Sequence, residues 1–286
     1  MAEILYGAPA AEAIRRDLKE RLAALQARGI TPCLAAVRAG ENAGALSYER
    51  AARRACEGLG VSFRAVTLPE TCGNSALLRV LRGLSADPAV HGCLLLRPLP
   101  KQIDEHAVSE AIAPEKDVDG VTSQSLRHLF TGCGPGHCPC TPEAVLALLD
   151  HYRVPLDGAR VTVLGRSLIV GKPLSLLLTG RSATVTLCHS HTRDLPERCR
   201  EADILIPAAG SAGLIGADWV RPGQVILDVG TSLNAAGKLC GDVDFERVAP
   251  RVAALSPVPG GVGAVTTAVL LRHVVETAEN GINHEK

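Results

Sequence analysis

The stretch Gly165-Arg166-Ser167-Leu168-Ile169-Val170-Gly171-Lys172-Pro173 brings together residue types that grip a phosphate. Glycines let backbone approach an anion closely, and the N–H groups opening a helix carry the partial positive charge that holds it. Arg166 adds a guanidinium, whose planar fork suits a further phosphate. An apolar run, Val161-Thr162-Val163-Leu164, precedes the stretch, and a Leu-rich helical segment, Pro173 to Leu178, follows it. Strand, glycine turn, helix is the context such a motif requires, although Gly165 and Gly171 do not spell the commoner G-x-G-x-x-G. A second strand, Ala183 to Leu187, ends at Cys188-His189-Ser190-His191-Thr192, where a doubly wound sheet receives the ribose of a dinucleotide. Ser190 offers a hydroxyl there. His189 and His191 flank it in a polar loop and read as surface residues rather than metal ligands.

The elements that must position these residues alternate along the chain. Ile14, Leu18, Leu22 and Leu25 recur at helical spacing, so a helix is expected over about 9–28. Strands are expected at Cys33–Val37, Val61–Leu68 and Val90–Leu96, with helices at Leu46–Leu59, Asn74–Leu84 and Glu105–Ile112. The polar segment Pro114-Glu115-Lys116-Asp117-Val118-Asp119-Gly120 interrupts this rhythm and leads into a loop reaching residue 140. Thr141 is expected to cap a helix opening at Pro142. Strands at Val161, Val185, Ile204 and Val225 follow, and a last helix covers Val265–Glu279. Repeated βα units imply parallel strands with right-handed crossovers, hence two α/β domains. Ahead of the last helix, Pro257-Val258-Pro259-Gly260-Gly261-Val262-Gly263 suits a loop that meets a ligand, or a hinge.

The 286 residues are 47% apolar but only 2% aromatic, so the cores are aliphatic, as buried parallel strands prefer. Thirty basic and thirty acidic residues cancel, and no basic face argues for nucleic acid or an acidic membrane. No apolar run reaches membrane-spanning length, and the N-terminus carries no export pattern. Ten scattered cysteines then read as reduced thiols in the cytoplasm. Cys133-Gly134-Pro135-Gly136-His137-Cys138-Pro139-Cys140 holds zinc-ligand types, yet a second ligand pair at regular spacing is missing. It reads as a loop, and no metal is expected.

Lys116-Asp117-Val118-Asp119-Gly120, Pro139-Cys140-Thr141-Pro142, the Gly165–Pro173 loop, Asp228-Val229-Gly230, Gly241-Asp242-Val243 and Pro257–Gly263 occur in one order. In these motifs the chain resembles the bifunctional methylenetetrahydrofolate dehydrogenase/methenyltetrahydrofolate cyclohydrolase family, nearly end to end. The resemblance implies two α/β domains with a folate cleft between them. The first, residues 1–143 with 267–286, would be the catalytic folate domain. The second, residues 144–266, would be a Rossmann-like doubly wound parallel sheet binding NADP. Gly165, Ser167 and Gly171 would face the pyrophosphate, Arg166 and Ser190 the 2′-phosphate, and Thr231 the nicotinamide. Tyr48 and Asp119 are implied as catalytic residues. Tyr48, Leu96, Asp119, Pro259, Gly260 and Gly261 are implied to meet a tetrahydrofolate derivative. The resemblance also implies a homodimer.

The folate side departs from the family pattern. The Lys four residues after the Tyr is Ala52, the Gln after the third strand is Leu96, and the Ser before the Tyr is Ala45. Val121-Thr122-Ser123 and Ala264 replace further family residues. Hydride transfer needs alignment above all, which Tyr48, Asp119 and the glycine loop supply. Hydrolysis of the methenyl product moves protons, and loss of the acid–base group costs about 10²–10⁴-fold. An NADP-dependent dehydrogenase with weak or absent cyclohydrolase activity is therefore expected. Two other readings stay open: a folate enzyme passing its one-carbon unit to another acceptor, and a non-catalytic binding homologue. Lys101 is the nearest lysine in sequence to Leu96 and a candidate replacement base. Read alone, Tyr48 also fits a packed helix aromatic and Asp119 a turn residue.

Overall fold

The computed structural model describes residues 2–234 and 236–283. Its elements begin with β1 (Glu3–Ile4), α1 (Gly7–Ala27), β2 (Cys33–Ala39), α2 (Ala43–Leu59), β3 (Ser62–Leu68), α3 (Asn74–Ala86), β4 (Gly92–Leu95), α4 (Glu105–Ser109), α5 (Ser123–Thr131) and α6 (Cys140–His151). They continue with β5 (Arg160–Leu164), α7 (Gly171–Gly180), β6 (Thr184–Cys188), α8 (Leu195–Glu201), β7 (Ile204–Pro207), β8 (Val225–Ile226), β9 (Ser232–Leu233), β10 (Leu239–Cys240), α9 (Phe245–Val248), β11 (Ala254–Leu255) and α10 (Val262–Asn283). They fall into two compact units, one of residues 13–140 with 267–286 and one of residues 1–12 with 141–266.

The first unit is built on three parallel strands in the order β3-β2-β4. β2 is buried almost throughout, which explains its continuous apolar run. Beneath it, Leu77, Leu81 and Leu84 of α3 pack with Val37, Leu95 and Ile112. α2 is set by its ends: Asn42 caps the amides of Gly44 and Ala45, and Gly60 takes the left-handed conformation at the other end. Its buried stripe is Ala45, Glu49, Ala52 and Cys56, at helical spacing.

The second unit carries a six-stranded parallel sheet, β1-β11-β8-β7-β5-β6. The chain leaves β5 to one side for β6 and returns to its other side for β7. The crevice beyond the carboxyl ends of β5 and β7 is thus the switch point at which such sheets bind ligands. An antiparallel β9–β10 pair completes the unit.

Three sequence expectations change. Thr141, expected to cap a helix opening at Pro142, lies inside α6, which opens at Cys140. The segment 1–12 was expected with the first domain, but Glu3 and Ile4 pair with Ala254 and Leu255 at the edge of the six-stranded sheet. The expected loop from 121 to 140 contains α5, capped by Thr122 at its start and by Gly132 in the left-handed region at its end. Only Ser125 of α5 is buried, so no apolar stripe announced it.

Candidate functional site

In the first unit the relevant side chains gather around the segment after α4. Asp117 is fully buried and accepts hydrogen bonds from Val121 N (3.2 Å), Thr122 N (2.8 Å) and Ser125 Oγ (2.6 Å). Gly120 turns the chain with φ of 68°, and a Cβ there would sit 2.6 Å from Pro139 N. Between them, Asp119 is held with its carboxylate 3.6 Å from Nη1 of Arg97. Burial raises the Asp119 carboxyl to about 6; Arg97 pulls it down, Asp117 pushes it up, and His273 and the nearby Cys140 lower it.

Tyr48, half-buried on α2, feels the same groups. Burial, followed by Asp119 and Cys140, pushes its hydroxyl well above the usual range. At neutral pH it is a donor and not a base. Ala52 lies one helical turn on and is wholly buried. Leu96, expected among the substrate contacts, is 1% exposed and has almost no surface with which to touch a ligand. It belongs to the wall behind β4. Lys101 is exposed in the turn after Pro100 and makes no ion pair among the described residues. Arg97, in contrast, was missed by sequence reasoning. It bonds Glu105 Oε1 (2.5 Å), Leu95 O (3.3 Å) and Ser109 Oγ (3.3 Å) while facing Asp119. Its only signal was a charge directly after an apolar strand.

The six-stranded unit supplies the phosphate-binding geometry. Gly165 follows β5 with φ of 129°, bonded through its N–H to Cys188 O at the end of β6 (2.9 Å). A Cβ on Gly165 would meet Ala208 O at 2.2 Å, and one on Gly171 would meet Gly165 O at 1.8 Å. The loop is thus folded tightly enough against backbone that only glycine fits at these two positions. Ser167 braces it, its Oγ accepting from Val170 N (3.1 Å) and its carbonyl from Lys172 N (3.1 Å). Arg166 is exposed, and so is Ser190 beyond β6. The Ser190 loop closes on itself, with His189 N donating to Thr192 Oγ1 (2.9 Å) and His191 N to His189 Nδ1 (3.2 Å). These features fit a dinucleotide: a glycine turn packed against its own backbone between β5 and α7, a helix N-terminus, and an exposed guanidinium and hydroxyl nearby.

Thr231 lines a cavity of about 450 Å³ in the same unit, together with Asp228, Gly230, Leu239, Pro259, Gly260 and Gly261. Asp228 lines it, and Asp242 braces the neighbouring segments. Asp228 accepts from Gly230 N (2.9 Å), Asp242 N (3.1 Å) and Val243 N (2.9 Å). Asp242 accepts from Ala209 N (2.6 Å), Gly210 N (3.1 Å) and Ser211 N (2.7 Å). Burial raises the Asp228 carboxyl to about 7 against the three amides. A Cβ on Gly230 would strike Asp242 and one on Gly241 would strike Asp228, so Asp-Val-Gly and Gly-Asp-Val are two halves of one backbone lock.

Residues 5–119 match the catalytic domain of the tetrahydrofolate dehydrogenase/cyclohydrolase family, and residues 139–282 match its NAD(P)-binding domain. The chain belongs to that family. It is 46% identical to the bifunctional protein FolD of Carboxydothermus hydrogenoformans over 286 residues, 99% of this chain and 100% of that one. A crystal structure of the bifunctional FolD enzyme of Campylobacter jejuni superposes with a TM-score of 0.94 at 38% identity, covering 98% of this chain and 99% of that one. The Trypanosoma brucei FolD enzyme, solved with NADP and an inhibitor, gives 0.93 at 35% identity and covers 98% of each chain. Among the described residues, no helix is long and apolar enough to cross a membrane.

Proposed function

We propose that the chain oxidises 5,10-methylenetetrahydrofolate to 5,10-methenyltetrahydrofolate with NADP, and that its cyclohydrolase activity is weak or lost. One observation carries this reading. The glycine turn Gly165–Gly171 at the start of α7 supports dinucleotide binding, while Ala52, the position at which the family resemblance implies a lysine, is a wholly buried alanine on α2.

NADP, when bound, accepts the hydride. Gly165 and Gly171 admit its pyrophosphate, and Ser167 keeps the loop in shape. Arg166 and Ser190 take the 2′-phosphate, as a guanidinium and a hydroxyl suit a dianion. Thr231 offers backbone to the nicotinamide, while Pro259, Gly260 and Gly261 supply a substrate-facing wall. Asp119, ionised above about pH 6, accepts N–H bonds from the pterin edge. Tyr48 stacks on the substrate and donates a hydrogen bond through its hydroxyl, which stays protonated. None of these residues need move a proton for hydride transfer, because the folate nitrogens supply the electrons.

Hydrolysis differs, because water must be deprotonated and a ring nitrogen protonated. Alanine has no proton to give, and buried Leu96 orients nothing. NADPH formation from the methylene substrate is expected to be robust, and hydrolysis of the methenyl product slow. The pair Ala52→Lys with Leu96→Gln is expected to raise hydrolysis by roughly 10²-fold. Robust wild-type hydrolysis without hydride transfer refutes the reading. Robust hydrolysis alongside it, abolished in Asp119→Asn, assigns the proton to Asp119 instead. The ten thiols form no disulfide, which supports a reducing, cytoplasmic setting, and the family resemblance supports a homodimer.

A further inference from the structure

His137, in the loop between α5 and α6, meets His273 and Glu276, which lie three residues apart on one face of α10. All three belong to the three-stranded unit. The sequence offered only the loop's share of this set; folding brings the helix's share to it. One ligand atom from each lies within 4.8 Å of the others.

The hydrogen bonds assign the nitrogens. Nδ1 of His273 is 2.8 Å from Val118 O, so it carries a proton and donates. Nε2 of His137 is 3.0 Å from Thr277 Oγ1. That hydroxyl already faces two carbonyls, Glu115 O at 2.8 Å and His273 O at 3.0 Å, so it gives its proton to a carbonyl and accepts from His137. Nδ1 of His137 is therefore the lone-pair nitrogen, and it faces Oε2 of Glu276 at 3.7 Å. Oε1 of Glu276 turns to Arg272 (3.7 Å) and Arg21 (4.0 Å). Each imidazole thus anchors one ring N–H on protein oxygen, the arrangement that orients histidine ligands around a metal.

We propose that His137, His273 and Glu276 hold one divalent transition-metal ion of the zinc class. Two imidazoles and a carboxylate are a zinc-type donor set, and a water completes four-coordination. Bonds of about 2.0–2.2 Å place ligand atoms roughly 3–4 Å apart. The two rings are stacked, 4.5 Å between centroids and 20° between planes, so coordination requires one ring to tilt and the half-exposed Glu276 to close in. The ion staples the loop to α10. No cysteine belongs to the group, which is two imidazoles and one carboxylate, and Cys140 donates its S–H to Val118 O (3.1 Å).

The test uses the full chain, stripped with chelator and kept reduced by a phosphine. Equilibrium dialysis against zinc chloride, read by elemental analysis, is expected to give one bound equivalent. The melting midpoint should rise with free zinc, as ligand binding to the folded state demands. His137→Ala and Glu276→Gln should each weaken binding roughly tenfold or more, while Cys133→Ser leaves it unchanged. Cobalt(II) substitution is expected to show weak visible bands without a sulfur charge-transfer band. Absence of saturable binding overturns the proposal and leaves an ion-paired histidine cluster. Binding undiminished in both ligand variants, or a cobalt–thiolate band, overturns it by placing the ion elsewhere.

Discussion

Under the proposed function, Asp119 sets the acid limb of activity. Burial lifts its carboxyl to about 6, well above an ordinary aspartate. The anion that the proposed function sets against the pterin edge is therefore present above about pH 6 and is lost as pH falls through it. kcat/KM is expected to fall roughly tenfold per unit below that point. Stability moves the other way. A carboxyl whose pKa is raised on folding favours the folded state at low pH, and that contribution is lost as pH rises through about 6. Loss of activity with retained circular dichroism at pH 5 would separate the two. Arg97→Leu removes the guanidinium 3.6 Å from Asp119, so the acid limb should shift to higher pH. In the glycine turn after β5, Arg166→Gln should raise KM for NADP roughly 10–150-fold, the value of a charge-assisted hydrogen bond of about 1.5–3 kcal/mol. KM for NAD, which has no 2′-phosphate, should barely change.

At the scale of elements, α2 depends on a buried ion pair. Nε of Arg38, on β2, lies 2.9 Å from Oε2 of Glu49, and Nη2 reaches Thr67 Oγ1 at 3.2 Å. Removing one partner strands a buried charge. Arg38→Leu should cost about 3–5 kcal/mol in urea unfolding, whereas Arg38→Leu with Glu49→Val should recover most of it. Arg53, 3.4 Å from the other Glu49 oxygen, is too exposed to compensate fully. Tyr48 precedes Glu49, so the single variant should also lower folate affinity. In the other unit, the Gly165–Gly171 loop is held by sterics rather than charge. Its close approaches explain why glycine spacing departs from the common fingerprint without loss of the fold.

At the scale of the whole chain, the order of strands reverses at β2 in the three-stranded sheet and at β5 in the six-stranded one, and candidate residues of each unit follow the carboxyl ends of these strands or their neighbours, Arg97 after β4 and Gly165 after β5. The two ligands should then stabilise the protein separately. Thermal shifts with NADP alone and with tetrahydrofolate alone are each expected to be positive and to grow with ligand concentration. A positive shift with folate but none with NADP would remove the basis for a dehydrogenase. Light scattering is expected to return twice the chain's 29.9 kDa.

The alternation of apolar strands and helices, the glycine loop and the Asp-Val-Asp-Gly turn were legible in the sequence, because periodicity and glycine placement are local properties. Ala52 and Leu96 stood out only against the pattern of the family that the chain resembles. Non-local effects were not legible. Residues 1–12 join the six-stranded sheet through a two-residue pairing too short to leave a pattern. Asp117, rather than a side chain in contact with ligand, braces Asp119, and Arg97 faces it from across the fold. Asp228 and Asp242 exchange amides with segments up to 33 residues away. His137 meets His273 only because the last helix packs against the loop. Residue types along the chain set which chemistry is available; burial and proximity, which raise a carboxyl to about 6 or bring two imidazoles together, exist only once the chain has folded.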